Sequence, residues 1–416
     1  MSSSAVGGGS TGNDEGICVA IRARPMSSKE KLQGQRALWR CLPAHNSITL
    51  TGPDGNPLPD RNPGFGFFTY DKVFSENAST SDVYQAIGGP IVSSVLQGFN
   101  GTIFAYGQTS SGKTYTMVGD EVEGEEGVLH LAARDVFRLI SETQDRDFLL
   151  RVSFVEIYNE NIRDLLDPET PTLQIREDPR KGVYLEAHES IITDFDSILT
   201  ALKTGSKHRR VEATAMNERS SRSHTIFKMI VESKERPVAG VAGTAAAATT
   251  AAAAAPTGGA DGDVDGAVLV ATLNLVDLAG SESVRHTGAT GNRAKEGGKI
   301  NQSLLTLSRV IHALGQDGNT HKGFRDSKLT RILQPSLSGN AKMAVVCCIT
   351  AAEKYLEETR STLQFASRAK MVRTCAVVNE VLDDRAQLKR LKQELQDLKG
   401  RQRQLEEMEA AGVGGG

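Results

Sequence analysis

Gly107-Gln108-Thr109-Ser110-Ser111-Gly112-Lys113-Thr114 follows directly on the apolar run Thr102-Ile103-Phe104-Ala105-Tyr106, and no other stretch constrains the fold as tightly. A short, continuously apolar run before a glycine-bounded loop predicts a buried strand that turns into a helix. Two glycines with Lys-Thr at the second are the spacing at which backbone N–H groups wrap phosphates while the lysine neutralises charge toward the β- and γ-phosphates. Thr114 then places its hydroxyl on Mg²⁺. Gly107, Gln108, Thr109, Ser110, Ser111, Gly112, Lys113 and Thr114 are therefore candidate phosphate-binding residues.

The chain has 416 residues, 39% of them hydrophobic, with a net charge of −3. That length exceeds the prior for one domain, although large α/β domains reach it. A slightly acidic whole argues against binding DNA through overall charge, so an electrostatic partner must meet a local patch. Residues 1–15 form a Ser/Gly-rich tract without the apolar core of a secretory signal, and 412–416 read as a flexible tail. No run of about eighteen apolar residues occurs, which gives no expectation of a membrane span. Cys18, Cys41, Cys347, Cys348 and Cys375 lack Cys-x-x-Cys spacing and are expected as buried, reduced thiols in an intracellular protein.

Strand and helix patterns alternate along the chain. Residues 17–21 read as a strand that ends before Pro25, 82–96 as a helix opened by Ser81 or Asp82, and 148–158 as a strand. Residues 195–204 read as a short helix, and 225–233 and 268–276 as strands, the second central because it is almost wholly apolar. Alternation of this kind predicts an α/β core with helices on both faces of one sheet. Residues 237–267, nearly all Ala, Gly, Thr and Val, lack an apolar stripe and are expected as a disordered insertion in a hairpin loop. Leu388, Leu391, Leu395 and Leu398 begin a heptad seam over 385–411. It is about three heptads long and contains Gly400, which leaves a coiled-coil dimer and a solvated terminal helix both open.

Two further loops carry matching chemistry. Asp277-Leu278-Ala279-Gly280-Ser281-Glu282 follows an apolar strand, which puts Asp277 where an α/β sheet presents its ligands. An aspartate there can hold the hydration shell of Mg²⁺, and Gly280 offers a backbone N–H to a γ-phosphate. Asn217-Glu218-Arg219-Ser220-Ser221-Arg222-Ser223-His224 supplies hydroxyls and an arginine from a polar loop.

These three loops resemble the phosphate loop, switch I and switch II of the kinesin motor family. Arg22-Ala23-Arg24-Pro25 is similar to the family's adenine-contact motif, and Tyr115 falls where the family stacks a ring on the base. Tyr158-Asn159-Glu160-Asn161-Ile162-Arg163-Asp164-Leu165-Leu166, Ile300-Asn301-Gln302-Ser303-Leu304 and Arg325-Asp326-Ser327-Lys328-Leu329-Thr330-Arg331 match three more signatures in order. The resemblance covers about residues 16–399. It implies a P-loop NTPase-like α/β fold with a central, mostly parallel or mixed sheet, a motor domain over 16–373, a neck linker over 374–384 and a neck coil after it. It also implies ATP and Mg²⁺ as ligands, with Thr114, Ser221 and, through water, Asp277 around the metal. Arg222 and Glu282 would close as an ion pair around the γ-phosphate, with Glu282 accepting the proton of the attacking water and Asn217 positioning it.

Microtubules are the partner the resemblance implies, met by basic side chains on one face: Arg325, Lys328 and Arg331 at i, i+3 and i+6, with Arg176, Arg180 and Lys181, and Arg285, Arg293, Lys295 and Lys299. It further implies a homodimer through the neck coil, a cytoskeletal location, no membrane or nucleic-acid partner, plus-end direction because the linker follows the core, and greatest similarity to the centromere-protein-E group, with a part in chromosome movement. His321-Lys322-Gly323-Phe324-Arg325 replaces the usual His-Val-Pro-Tyr-Arg, and Ser283 stands where many relatives carry arginine. Both put track affinity in question, not the catalytic set. The alternatives are a nucleotide-gated microtubule-binding protein that does not walk, and a GTP switch, which would need the Asn-Lys-x-Asp motif absent here.

Overall fold

The structure, a computed structural model, describes residues 15–52, 54–58, 65–120, 124–179, 182–214, 219–236, 268–282, 292–316 and 323–381. Ten strands form its main sheet: β1 (Cys18–Arg24), β2 (Lys72–Phe74), β3 (Gly101–Tyr106), β4 (Arg146–Tyr158), β5 (Asn161–Asp164), β6 (Ser190–Ile192), β7 (His224–Glu235), β8 (Val268–Asp277), β9 (Lys342–Thr350) and β10 (Glu380–Val381). Their order is β5-β4-β7-β8-β3-β9-β1-β2, with β6 pairing β4 and β10 pairing β8. From β8 to β2 neighbours run parallel, whereas β5, β4, β7 and β8 run antiparallel in turn. The sheet is thus mixed, and the parallel neighbours are all joined by long crossovers, as parallel pairing requires.

β3 shows why its sequence is apolar throughout. All six residues are buried, since parallel strands covered on both faces have no solvent side. Ile103 and Ala105 pack with Ile91 and Val95 of α1 (Gly89–Leu96), Met117 of α2 (Lys113–Met117), Val128 and Ala132 of α3 (Val128–Glu142), and Ile198 of α4 (Phe195–Thr214). Phe104 and Tyr106 point the other way, into a core shared with Leu304 and Leu307 of α5 (Asn292–Leu314), Leu329 of α6 (Lys328–Ile332), and Leu363 and Phe365 of α7 (Leu356–Ala369). The Tyr106 and Phe365 rings stack at 3.7 Å between centroids. Fully burying an aromatic or large aliphatic side chain contributes about 1.5–3 kcal/mol, so the two layers clamp β3, and with it the loop that follows.

Several expectations need correction. The helix expected over 82–96, opened by Ser81 or Asp82, starts two residues earlier, at Thr80: Ser79 is the cap and Asp82 completes a capping box as its third residue. It also contains a π turn, Tyr84–Gly88, before α1. The helix expected over 195–204 continues to Thr214, because its second half is held by tertiary contacts such as the His208 ring on the Leu165 carbonyl. Of the cysteines only Cys347 and Cys348 are buried; Cys18 and Cys41 are half-buried and Cys375 is exposed, and all five are free. The segments 1–14, 237–267 and 382–416, with the expected insertion and heptads, lie outside the described residues. Among the described residues no helix is long and apolar enough to cross a membrane.

After α7 the chain returns along the sheet. Arg373–Thr374 pairs with Glu15–Gly16, the Asn379 N–H donates to the Gly98 carbonyl at 2.9 Å, and the Val270 N–H donates to the Asn379 carbonyl at 2.9 Å. Asn340 clasps the same stretch, accepting from the Val377 N–H and donating to the Asn379 side-chain oxygen, both at 3.0 Å.

Candidate functional site

The loop after β3 is built from unusual backbone. Gly107 sits at φ +146°, and a Cβ there would fall 2.2 Å from the Cys348 carbonyl oxygen, so nothing larger than glycine fits beside β9. Gly112 at φ +100° and Ser110 at φ +61° complete the curl. The strained serine is pinned: Arg24 donates from Nε to its carbonyl at 2.6 Å and makes a bidentate pair with Glu30 at 2.6 and 2.8 Å. That bond draws the Glu30 carboxyl down to about 2. Lys113 opens α2, is buried, and donates to the Gln108 carbonyl at 2.7 Å. Burial lowers its pKa, and the charges of Asp277 and Glu282 oppose that shift.

A cleft of about 560 Å³ opens over this loop, lined by Arg22, Arg24, Pro25, the residues from Thr109 to Thr116, Ser221 and Leu278. Tyr115 shows about a third of its surface at the rim, and the Arg22 guanidinium lies 5.3 Å from its ring centroid. Arg22 is itself fixed by a 2.9 Å bond to Thr116. One end of the cleft is therefore flat and cationic–aromatic, suited to a heterocyclic base, and the other is lined with N–H groups and a lysine, suited to phosphates.

The three loops singled out from the sequence meet here. Consecutive amides of the segment after β8 each serve a different element: Ala279 N–H donates to His224 Nδ1 at 3.0 Å, Gly280 N–H to the Ser221 carbonyl at 2.9 Å, and Ser281 N–H to the Gly107 carbonyl at 3.1 Å. The Gly280 N–H faces the polar loop before β7 and would reach a phosphate by exchanging that bond. The Glu282 carboxylate accepts from the Thr109 N–H and hydroxyl at 2.7 and 2.5 Å. Arg222 ends the 3-10 turn Arg219–Arg222, and Asn217 lies outside the described residues.

Asp277 is 3% exposed, accepts from the Thr114 hydroxyl at 2.8 Å, and lies 3.5 Å from Arg209. Its second oxygen, Oδ1, is buried with no hydrogen-bond partner. An orphaned carboxylate oxygen on a residue bonded to the Thr114 hydroxyl, in a cleft that Ser221 also lines, fits Mg²⁺, which takes one or two protein oxygens and completes its shell with water and phosphate. Among the described residues no three His, Cys, Asp or Glu side chains cluster as a metal cage.

The expected basic face is only partly as drawn. Arg325 lies in the 3-10 turn Phe324–Asp326 and Lys328 and Arg331 lie in α6, so the three do not share one helix. Glu177, on a hairpin of Ile175–Asp178 with Gly182–Leu185, pairs with Arg331 and lies 3.4 Å from Arg325; Arg176 beside it faces Glu186 at 3.4 Å. Glu160 caps α6, accepting from the Lys328 N–H at 2.8 Å and the Ser327 hydroxyl at 3.2 Å. Arg176, Arg325, Arg331 and the Lys328 backbone N–H are thus gathered around three carboxylates, Glu186, Glu177 and Glu160. Arg180, Lys181 and Arg285 lie outside the described residues, and Arg293, Lys295 and Lys299 fall in the first nine residues of α5, whose side chains are described from Asn301 onward.

Fold and site together define a P-loop protein of the switch type, with two loops folded onto the phosphate loop. The family description "Kinesin motor domain" matches residues 22–372, and the chain belongs to that family. It is 46% identical over 396 residues to Kinesin-like protein KIN-7I of Oryza sativa subsp. japonica, covering 94% of this chain and 29% of that one. It is 44% identical to Centromere-associated protein E of Homo sapiens over 397 residues, 94% of this chain and 13% of that one. The chain therefore spans less than a third of either relative. The solved "Structure of a fast kinesin: Implications for ATPase mechanism and interactions with microtubules" aligns with a TM-score of 0.74 at 34% identity, covering 89% of this chain and 95% of that one.

Sequence reasoning missed Arg209, Glu30, Glu177, and the roles of Glu160 and His224. Only Glu30 left a local signal, the Ser27-x-x-Glu30 capping box just after Pro25. The others act through contacts with no fixed sequence offset.

Proposed function

We propose that this chain is an ATP-hydrolysing microtubule motor, plus-end directed, in which the occupant of the cleft sets the position of the two switch loops, the grip on the filament and the docking of residues 374–381. The observation that carries it is the convergence of Glu282, Gly280 and Ser221 on the phosphate loop. The site contains in one place the acid, the N–H donors and the hydroxyls that a γ-phosphate would redistribute. Lys113 and the loop amides hold the phosphates, while Arg22, Pro25 and Tyr115 flank the base. Thr114, Ser221 and Asp277 would hold Mg²⁺, which when bound spreads phosphate charge.

Water adds to the γ-phosphorus as the bond to the bridging oxygen breaks, giving ADP and phosphate; the proton leaves toward Glu282, with Asn217 orienting the water. To act so, Glu282 exchanges Thr109 for Arg222, a bidentate pairing sensitive to small displacements. Loss of phosphate reverses the exchange.

Direction rests on the segment after α7. It is held by a few backbone and Asn340 bonds, each worth about 0.5–1.5 kcal/mol net, while Val377, Val378 and Val381 stay half-exposed. Such a weak strap can dock and release within one cycle. The likeness to Centromere-associated protein E alone supports a part in chromosome movement, and a homodimer rests on the heptads of 385–411. Tracking single molecules on polarity-marked microtubules with hydrodynamic mass measured in parallel tests the proposal: ATP-dependent plus-end runs are expected. Nucleotide-dependent binding without directed motion would assign the chain to the non-walking alternative.

A further inference from the structure

His224 opens β7 directly after the switch I loop and is 2% exposed. Its Nδ1 accepts the Ala279 N–H at 3.0 Å, and its Nε2 lies 2.8 Å from the Ser303 hydroxyl of α5. Because Nδ1 is the acceptor of a backbone N–H, the neutral ring carries its proton on Nε2 and donates it to Ser303. One rigid imidazole thus spans three elements: the strand that begins at switch I, the switch II backbone, and the long helix on the opposite sheet face from α1–α4. That helix shares its core, through Leu304 and Leu307, with Leu329 and Leu333 beside the basic side chains of α6. Gly280, the next residue to Ala279, is bonded to Ser221, so a displacement of switch II that breaks one bond strains the other.

We propose that His224 is a positioning residue that couples switch II to α5, carrying movement of the Ala279 amide to Ser303 and so to the filament-binding face. A ring with both nitrogens engaged cannot follow Ala279 without moving on Ser303, since it has no internal freedom beyond its two side-chain torsions. An ordinary packed histidine would require only that the volume be filled. The filament end of the coupling rests on the motor reading; the link from Ala279 to Ser303 does not.

The test uses variants that separate the two bonds. Ser303→Ala removes the hydroxyl at the far end and leaves the bond to Ala279, and His224→Asn keeps an oxygen at the Nδ1 place for Ala279 but is too short to reach Ser303. Hydrogen exchange of residues 301–314, compared between ADP and a non-hydrolysable ATP analogue without filaments, reads the coupling directly. In both variants the nucleotide-dependent difference in that helix should shrink by about threefold or more, the scale of one hydrogen bond, while the difference in residues 107–114 persists. The double variant should be no worse than either single one, because both cut the same link. An undiminished difference in folded Ser303→Ala, or effects that multiply in the double variant, overturns the proposal. Microtubule affinity in the two nucleotides, measured alongside, should lose its contrast in the same variants. A parent chain whose microtubule affinity ignores nucleotide would sink the motor reading while leaving the exchange comparison decisive.

Discussion

Thr109 holds Glu282 by two bonds at once, its backbone N–H at 2.7 Å and its hydroxyl at 2.5 Å. The acid expected to take the proton of the attacking water is therefore parked on the phosphate loop itself. A Cβ on Gly280 would fall 2.2 Å from the Thr109 hydroxyl oxygen, so the close approach of the two loops depends on that glycine.

Thr109→Val keeps the side-chain shape and the backbone bond but removes the hydroxyl donor. A hydrogen bond to a charged acceptor is worth about 1.5–3 kcal/mol, so freeing Glu282 should raise phosphate release without filaments about tenfold. Stopped-flow phosphate detection checks this, and unchanged or slower release would show that the contact does not restrain the acid.

Lys113→Ala removes the one buried ammonium among the residues lining the cleft. ADP affinity, read by titration with a fluorescent analogue, should fall about 100-fold or more and turnover should vanish, as expected when a charge-assisted contact to phosphate is lost. Nucleotide binding within a few-fold of the parent would contradict the assignment of the phosphate site.

Glu177 neutralises Arg331 and Arg325 on the face proposed for the filament. Glu177→Gln should tighten microtubule binding about twofold to fivefold, the range of one partly exposed ion pair. Its affinity should also fall more steeply with added salt. Co-sedimentation over a salt series measures both, and weaker binding would place these arginines off the interface.

His224 is held far below its ordinary value of 6.5, at about 3, first by burial and then by the charges of Lys113 and Arg209. A depressed value in the folded state means that the unfolded chain takes up a proton first as pH falls. The contribution is fully present above 6.5, is lost progressively below it, and is exhausted near 3. This one group adds a slope approaching about 1.4 kcal/mol per pH unit over that window. Urea midpoints between about pH 7 and pH 5 should fall for the parent and fall less for His224→Asn; parallel pH curves would refute the buried neutral imidazole.

The sequence by itself determined the α/β class, the strand under the phosphate loop, and the phosphate loop, the two polar loops and the Arg22–Pro25 segment that meet at the cleft, but not the loop that brings Glu76 and Ala78 to its wall. Each of these is encoded locally, by the unbroken apolar run of residues 102–106, by glycines at backbone angles other residues avoid, and by polar residues at the strand ends. Only the tertiary structure decided which partners those residues take: Glu282 on Thr109, Gly280 on Ser221, Arg209 on Asp277, Glu177 between two arginines, His224 between Ala279 and Ser303. The same holds for the ten added residues of α4 and the early capping of the helix before α1. The physical reason is range. Backbone preference and hydrophobic period act over a few residues, while hydrogen-bond partners are chosen by which surfaces packing brings within 3 Å, at separations of 79 residues for His224 and Ser303 and 173 for Thr109 and Glu282.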